Sequence, residues 1–79
     1  MERIEVLTKL QELLADVIDN EELVITEQSS PLNVEDWDSL AHFQFVMEIQ
    51  SAFSIRFSAA EIQSWKSIGD IITCILSKQ

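Results

Sequence analysis

Between Glu2 and Ile18 the chain places apolar residues with the period of a helix. Leucine and β-branched residues recur at every third or fourth position, as Leu7, Leu10, Leu14, Val17 and Ile18. The opposite side of the same helical wheel is acidic, with Glu5, Glu12 and Asp16. This spacing puts apolar side chains on one face of a helix and polar side chains on the other. The first element is therefore predicted to be an amphipathic helix.

The next segment, from Asp19 to Asp38, has no sustained period and predicts a long loop. It contains Ser29-Ser30-Pro31 and seven acidic residues but no basic one. Six apolar residues are expected to anchor it to the core, namely Leu23, Val24, Ile25, Leu32, Val34 and Trp37. Loops of about 20 residues are uncommon in small domains unless they have a function. The length of this one directs attention to its end, at Asp38-Ser39.

From Ser39 to Phe53 apolar residues cover most of a helical wheel. They are Leu40, Phe43, Phe45, Val46, Met47, Ile49 and Phe53. The narrow stripe that remains consists of Ala41, Gln44, Glu48 and Ser51. Because a helix that is apolar on nearly all sides is normally buried, this second helix is predicted to be the central one.

Two later segments carry the signature of a helix start. In Ser58-x-x-Glu61 and in Ser67-x-x-Asp70, a hydroxyl precedes an acid by three residues, the spacing of a capping box. The first signature predicts a short helix, and the second predicts a helix from Ile68 to Leu76.

The remaining segment, Ile55-Arg56-Phe57, alternates like a strand but is too short and has no partner strand, so it is predicted to be a linker. The 79 residues leave room for one hydrophobic core. The sequence thus predicts a single all-α domain over residues 1–79. We expect a four-helix bundle with three longer helices, one short helix and a long loop between the first and second helices.

Charge and composition narrow the choice of partners. Fourteen acidic residues against five Lys and Arg give a net charge of −9, so nucleic acid and anionic lipid would repel the protein. We expect partners with basic surfaces. No apolar run is long enough to cross a membrane. The single Cys74 cannot close an internal disulfide and the first residues do not resemble a signal peptide, so a cytoplasmic location is expected.

The sequence contains no recognisable set of catalytic residues. Glu35, Asp36 and Asp38 are clustered, but they lack the glycine-containing turn and regular spacing of a calcium loop, so no metal site is predicted. His42 follows Ser39 by one helical turn and suggests a hydrolase pair. A hydrolase also requires a strained turn, oxyanion donors and an orienting acid, and none is recognisable here. We therefore do not predict an enzyme.

The segment Asp38-Ser39-Leu40, where the acidic loop meets the apolar helix, allows two interpretations. Asp and Ser are preferred residues at the N-cap of a helix, so the segment could be an ordinary cap. Alternatively, Ser39 is exposed at a helix N-terminus, where free amides and the helix dipole favour a phosphate group. The three residues alone do not decide between these interpretations.

A wider pattern surrounds these three residues. It comprises Trp37, Phe43, Val46-Met47-Glu48-Ile49, Phe53-Ser54-Ile55-Arg56-Phe57 and Ser67-Ile68-Gly69-Asp70-Ile71. Together with the length, acidity and helix order, the pattern closely resembles the acyl carrier protein family over nearly the whole chain. The resemblance implies that Asp38-Ser39-Leu40 opens the second helix and that Ser39 carries 4′-phosphopantetheine. The thiol of that group holds acyl chains as thioesters.

The resemblance also implies a non-catalytic, monomeric carrier that a phosphopantetheinyl transferase modifies and acyl-processing enzymes use. The residues expected to meet these partners are Glu35, Asp36, Asp38, Ala41, Gln44 and Glu48. The apolar interior of the bundle, among Phe43, Val46, Met47, Trp65 and Ile68, would also suit transient storage of an acyl chain, although each of these residues taken singly is better explained as part of the core. The alternative is a helical interaction module that keeps the carrier fold but is never modified.

Two departures from the commonest pattern of the family affect the expected pathway. Many fatty-acid carriers have a glycine shortly before the Asp-Ser pair, where this chain has Glu35-Asp36-Trp37. Such carriers usually show several acids on the exposed face after the serine, whereas the stripe here contains only Glu48. The resemblance therefore favours a specialised lipid, polyketide or lipopolysaccharide-type pathway.

Overall fold

The computed structural model describes residues 1–79 and contains four helices joined by turns and loops, with no strand. The helices are α1 (Arg3–Val17), α2 (Ser39–Phe53), α3 (Ala59–Ser64) and α4 (Ile68–Ser77). Three helices have 10 to 15 residues and α3 has six. The predicted all-α fold is confirmed, and Ile55-Arg56-Phe57 forms a linker and not a strand.

Helix α1 lies at the centre of the fold, because it packs against both α2 and α4. Its fully buried residues are Val6, Leu10 and Leu14, which recur at every fourth position. Leu7, on the predicted face, is only half-buried. The apolar face is therefore rotated slightly from the predicted one, since Val6 extends it on one side.

The prediction that α2 is the central helix is wrong. Its buried residues are Ala41, Phe45, Val46 and Ile49. Three large apolar side chains of α2 are exposed instead, with Leu40 at 66%, Phe43 at 64% and Met47 at 52%. Only α1 packs extensively against α2, so one side of this apolar helix remains uncovered.

The core combines residues from α1, α2, α4 and the long loop. It consists of Val6, Leu10, Leu14, Ile25, Trp37, Ala41, Phe45, Ile49, Ile68, Ile71, Ile72 and Ile75. Removing one Val, Leu, Ile or Phe side chain from water stabilises a fold by about 1.5–3 kcal/mol. None of the helices has the length and hydropathy required to span a membrane.

The long loop is anchored at two of the expected positions, Ile25 and Trp37, which are both buried. Leu23 and Val34 are partly buried against the core. The prediction is wrong for Val24 and Leu32, which are exposed. Between these anchors, backbone hydrogen bonds close short turns within the loop. The loop therefore has a defined conformation up to the start of α2, although it has no regular secondary structure.

The middle of the loop is hydrogen-bonded to the N-terminus of α4. The backbone N–H groups of Ile68 and Gly69 donate to the carbonyls of Ser29 and Glu27, each at 2.8 Å. A Cβ at Gly69 would lie 3.1 Å from the Glu27 carbonyl oxygen, so glycine permits this close approach. The Arg3 guanidinium also binds the Glu27 carboxylate with two hydrogen bonds of 2.6 and 3.1 Å. These bonds lower the pKa of Glu27 and tie the loop to α1.

The two predicted capping boxes differ in outcome. At α3 the box is present, because Ser58 and Glu61 each accept a hydrogen bond from the other's backbone N–H. At α4 the Ser67 side chain makes no capping bond, and the Asp70 carboxylate accepts from the Lys66 N–H instead. The Asp70 N–H, which the Ser67 hydroxyl was expected to bind, donates to the Ser67 backbone carbonyl at 3.1 Å, and the loop carbonyls described above accept from the Ile68 and Gly69 amides.

Candidate functional site

The first turn of α2 begins with a side-chain cap. The Asp38 carboxylate accepts a hydrogen bond of 2.8 Å from the Ala41 N–H. The Asp38 backbone carbonyl accepts the first helical hydrogen bond, from the His42 N–H at 2.8 Å. Asp38 is therefore the N-cap residue, and Ser39 is the first residue of the helix.

Because Asp38 provides the cap, the Ser39 side chain is free for another role. Ser39 is exposed, and its hydroxyl makes no hydrogen bond within the chain. The backbone N–H groups of Ser39 and Leu40 also have no partner in the chain, as is usual in the first turn of a helix. A phosphate linked to this hydroxyl would lie beside two free donors and the positive end of the helix dipole. The two interpretations of Asp38-Ser39-Leu40 are thus compatible, because Asp38 is the cap and Ser39 remains available for a phosphate group.

The loop residues just before Asp38 adopt an unusual backbone. Asp36 has a φ of 69°, in the left-handed region that glycine occupies without strain. It belongs to the Glu35-Asp36-Trp37 segment, where glycine is common in the resembled carriers. Aspartate is among the residues that tolerate this region best, since its short side chain bonds locally. The absence of glycine therefore does not prevent the turn that leads into α2.

Trp37 fixes the end of the loop to the core. Its side chain is 3% exposed, and its ring meets Phe45 edge-on with centroids 5.6 Å apart. Its indole N–H donates a hydrogen bond of 3.2 Å to Nδ1 of His42. Sequence reasoning missed this pairing, because residues five apart across a helix start do not share a face of any regular element.

The geometry does not support a serine hydrolase. Nδ1 of His42 already accepts from Trp37, and the Ser39 hydroxyl makes no hydrogen bond to the ring. Burial lowers the pKa of His42 below its ordinary value, which keeps the ring neutral near pH 7. His42 is therefore a partly buried structural neighbour of Ser39, without the geometry of a general base.

Most of the residues expected to meet partners are exposed around the α2 N-terminus and along its outer face. These are Glu35, Asp36, Asp38, Gln44 and Glu48. The expectation is wrong for Ala41, whose side chain is only 8% exposed and belongs to the core. Ala41 shares this buried cluster with Trp37 and Phe45. A helical wheel of α2 could not predict its burial, because the wheel does not include Trp37, a residue of the loop.

The outer face of α2 contains apolar residues that the sequence had assigned to the interior. Leu40, Phe43 and Met47 follow one another at intervals of three and four residues and form an exposed apolar stripe. Val46 and Ile68 are buried as expected. The predicted storage space is therefore wrong at Phe43 and Met47, because their side chains face outward and do not line the bundle interior.

The other candidate groups are accounted for by local contacts. No group of three or more His, Cys, Asp or Glu side chains has an arrangement that could hold a metal ion. The Cys74 thiol lies 3.5 Å from a carboxylate oxygen of Glu61. Burial is the main cause that raises the pKa of this thiol, so Cys74 is not an activated nucleophile.

Comparison with known proteins places these features in a family. The family described as "Phosphopantetheine attachment site" matches residues 8–75. An acyl carrier protein of Coprothermobacter proteolyticus is 30% identical over 77 residues, which cover 98% of this chain and 94% of that protein. An acyl carrier protein of Lactobacillus acidophilus is 28% identical over 75 residues, with 95% and 94% covered.

A solved structure shows the same similarity in three dimensions. The solution structure of the holo acyl carrier protein from Geobacter metallireducens superposes with a TM-score of 0.84 at 28% identity. The match covers 91% of this chain and 83% of that one. The helical bundle with an exposed serine at the start of α2 thus has the fold of a phosphopantetheine-bearing carrier.

The chain belongs to the phosphopantetheine attachment site family and, within it, to the acyl carrier proteins. Members of this family are carriers and not enzymes, and their cofactor is covalently attached 4′-phosphopantetheine. The free hydroxyl and unpaired amides at the start of α2 fit the phosphate end of that group.

Proposed function

We propose that Ser39 is the residue to which 4′-phosphopantetheine is attached and that the protein presents acyl groups to partner enzymes. The arm, when bound, supplies a terminal thiol that holds the acyl group as a thioester. The observation that carries the proposal is the exposed, unbonded hydroxyl of Ser39 at the first position of α2. The serine lies inside the matched residues 8–75.

The residues around Ser39 have distinct roles in this proposal. Asp38 satisfies the Ala41 N–H and leaves the amides of Ser39 and Leu40 available to the phosphate. Trp37 holds the preceding loop against the core, so that Ser39 projects from a rigid support. A carrier needs no general base beside the serine, because the transferase supplies the groups that activate the hydroxyl.

Modification in vitro tests the attachment residue. The protein is incubated with coenzyme A and a broad-specificity phosphopantetheinyl transferase, and its intact mass is measured. We expect a gain of about 340 Da, the mass of the arm, as the covalent adduct forms on the serine oxygen. Ser39→Ala should abolish the gain, whereas Ser51→Ala, at another exposed serine of α2, should retain it.

Two outcomes would contradict the proposal. An unchanged mass for the natural chain would favour the alternative, a carrier-like interaction module that is never modified. A mass gain in Ser39→Ala would show that another residue carries the arm.

We further propose that the partners, a phosphopantetheinyl transferase and acyl-processing enzymes, dock on the outer face of α2. Leu40, Phe43 and Met47 supply an apolar contact, and exposed apolar stripes of this kind commonly mark protein interfaces. Acidic residues frame the stripe, with Glu35, Asp36 and Asp38 at one end and Asp16 and Glu48 beside Met47. A basic surface around an apolar groove would be complementary to this arrangement.

The docking face is tested by matched serine substitutions. Phe43→Ser and Met47→Ser should each slow modification of Ser39 by about fivefold or more, the effect of losing an interface residue worth at least 1 kcal/mol. Ile4→Ser is the control, because Ile4 is an exposed apolar residue on α1, with 66% of its surface accessible. Equal effects of all three substitutions would contradict docking on α2.

The scarcity of acids within α2 itself, after Ser39, supports a specialised lipid, polyketide or lipopolysaccharide-type pathway over housekeeping fatty-acid synthesis. After Ser39, the face of α2 contains one acid, Glu48, and three large apolar residues. Assaying acyl transfer with enzymes of both types tests this preference, and equal rates with fatty-acid enzymes would contradict it. The monomeric state and the cytoplasmic location expected from the sequence stay predictions.

A further inference from the structure

His42 occupies a narrow space between two tryptophans beside the attachment site. Its ring centroid lies 5.8 Å from that of Trp37 and 6.4 Å from that of Trp65. A cavity of about 90 Å³ adjoins the three rings, with Lys66 and Ile71 among the other residues that line it. His42 thus joins the end of the long loop, the start of α2 and the end of α3.

The hydrogen bond between Trp37 and His42 exists in one protonation state only. Indole N–H is a donor and never an acceptor, so Nδ1 of His42 must carry a lone pair to accept it at 3.2 Å. The neutral ring then bears its proton on Nε2. A proton on Nδ1 would place two donors against each other and break the bond.

This bond spans the residues that orient Ser39. Trp37 immediately precedes the cap residue Asp38, and His42 follows the capped amide of Ala41. The other hydrogen bond that Trp37 donates, from its backbone N–H to the Val34 carbonyl, is long at 3.4 Å. The indole bond is therefore the shorter of the two polar restraints that hold Trp37.

We propose that His42 is a positioning residue for the modification of Ser39, acting by holding the Trp37 indole and thereby the loop end that carries Asp38. The inference deepens the proposed function and rests on it. It assigns to His42 no contact with the arm and no proton transfer. It predicts that the presentation of Ser39 depends on an acceptor at position 42.

The groups around His42 determine how the restraint responds to pH. Of the residues lining the cavity, Lys66 is the only other charged one. The elements packed against the ring otherwise present Trp37, Trp65 and Ile71, which do not titrate near neutrality. Asp38, the N-cap of α2 that follows Trp37, has its carboxylate engaged by the Ala41 N–H.

Burial lowers the pKa of His42 from its ordinary value of 6.5. The unfolded chain therefore binds the proton more readily than the folded one. The contribution of neutral His42 is fully present above pH 6.5 and is lost as the pH falls through the lower folded value. Ser39 should be presented less well in the same acidic range.

Modification kinetics with apo protein, coenzyme A and the transferase test the proposal. At pH 7.5, His42→Phe and Trp37→Phe should each be modified about three to ten times more slowly, the range for loss of one hydrogen bond. The double variant should be no slower than either single variant, because both remove the same bond. His42→Gln should restore a rate within about twofold of the natural chain, since its amide oxygen accepts from indole and does not titrate.

The pH profile separates positioning from a general loss of stability. The ratio of the natural rate to the His42→Gln rate cancels the transferase's own pH dependence. This ratio should fall as the pH decreases through the lowered pKa of His42 in the folded chain, and a constant ratio would contradict the proposal. Equal rates for His42→Phe and the natural chain at pH 7.5 would also overturn it.

A second measurement needs no modification. In a Trp65→Phe background, Trp37 is the only indole, and its N–H gives a single nuclear magnetic resonance signal. In this background the signal should shift with decreasing pH when His42 is retained but not when His42→Gln is added. A pH-independent signal in both proteins would refute the bond. Absence of modification in every variant would refute the carrier function instead, while the indole signal still decides the role of His42.

Discussion

The left-handed residue at the end of α2 gives a prediction whose sign is fixed by the backbone. Ser54 is the C-cap of α2, with φ of 55° and ψ of 47°. Its backbone N–H donates to the Gln50 carbonyl, while its side chain is exposed and makes no hydrogen bond. Replacing Ser54 by glycine should therefore remove backbone strain without removing a contact.

The size of the effect follows from two opposing contributions. The left-handed conformation costs an L-residue about 1–2 kcal/mol. Glycine avoids this strain but loses about 0.5–1 kcal/mol more conformational entropy on folding. The free energy of unfolding of Ser54→Gly should thus rise by about 0.5–1 kcal/mol. For a domain of this size, the melting temperature should rise by about 2–8 °C.

The control is the same substitution three residues earlier. Ser51 is an exposed residue inside α2, where glycine has a lower helix propensity than serine. Ser51→Gly should lower the free energy of unfolding by about 0.5 kcal/mol. Urea unfolding followed by circular dichroism measures both variants. Stabilisation by Ser51→Gly, or destabilisation by Ser54→Gly, would refute the reasoning.

Three further predictions concern charge. Ten acids and no Lys or Arg lie between Lys9 and Arg56, and their mutual repulsion should destabilise the fold. Sodium chloride at about 0.5 M shortens the screening length below roughly 5 Å and should therefore raise the melting temperature. A melting temperature that does not depend on salt would contradict this prediction. The double substitution Glu35→Lys with Asp36→Lys should slow modification of Ser39 more than Glu48→Lys does, and the difference should be largest at low salt. Equal rates would show that both ends of the face contribute alike. Hydrogen bonds from the Ser58 N–H and Lys78 lower the pKa of Glu61 from 4.5 to about 2, so its contribution to stability is present above pH 4.5 and is lost as the pH falls towards 2. Glu61→Gln should therefore lose less stability than the natural chain over that acidic range, as acid titration of the circular dichroism signal would measure.

The helices were predictable because their signals are local. The period of α1 and the Ser58-x-x-Glu61 box each depend on residues a few positions apart. The exposed Ser39 was also predictable, since Asp38 and Ser39 follow a loop and precede an apolar run. These features require no knowledge of how the helices pack.

The features that the sequence did not predict depend on contacts between elements. Nothing local to α2 distinguishes its covered side from its open side, so the exposure of Phe43 and the burial of Ala41 were both missed. The carbonyl of Glu27 satisfies an amide of α4 from more than forty positions away. The Trp37–His42 bond depends on the path of an irregular loop. Tertiary packing decides such cases and has no periodic signature.

The most direct test of the central claim is to locate the arm on the chain. The protein is modified with coenzyme A and the transferase and then cleaved after acidic residues, which separates Ser39 from the other serines of α2 and the loop. Fragment masses then identify the modified peptide. The arm should be found on the peptide that begins at Ser39, and on no other, in both the natural chain and Ser51→Ala. An arm on any other peptide, or none at all, would contradict the assignment of Ser39.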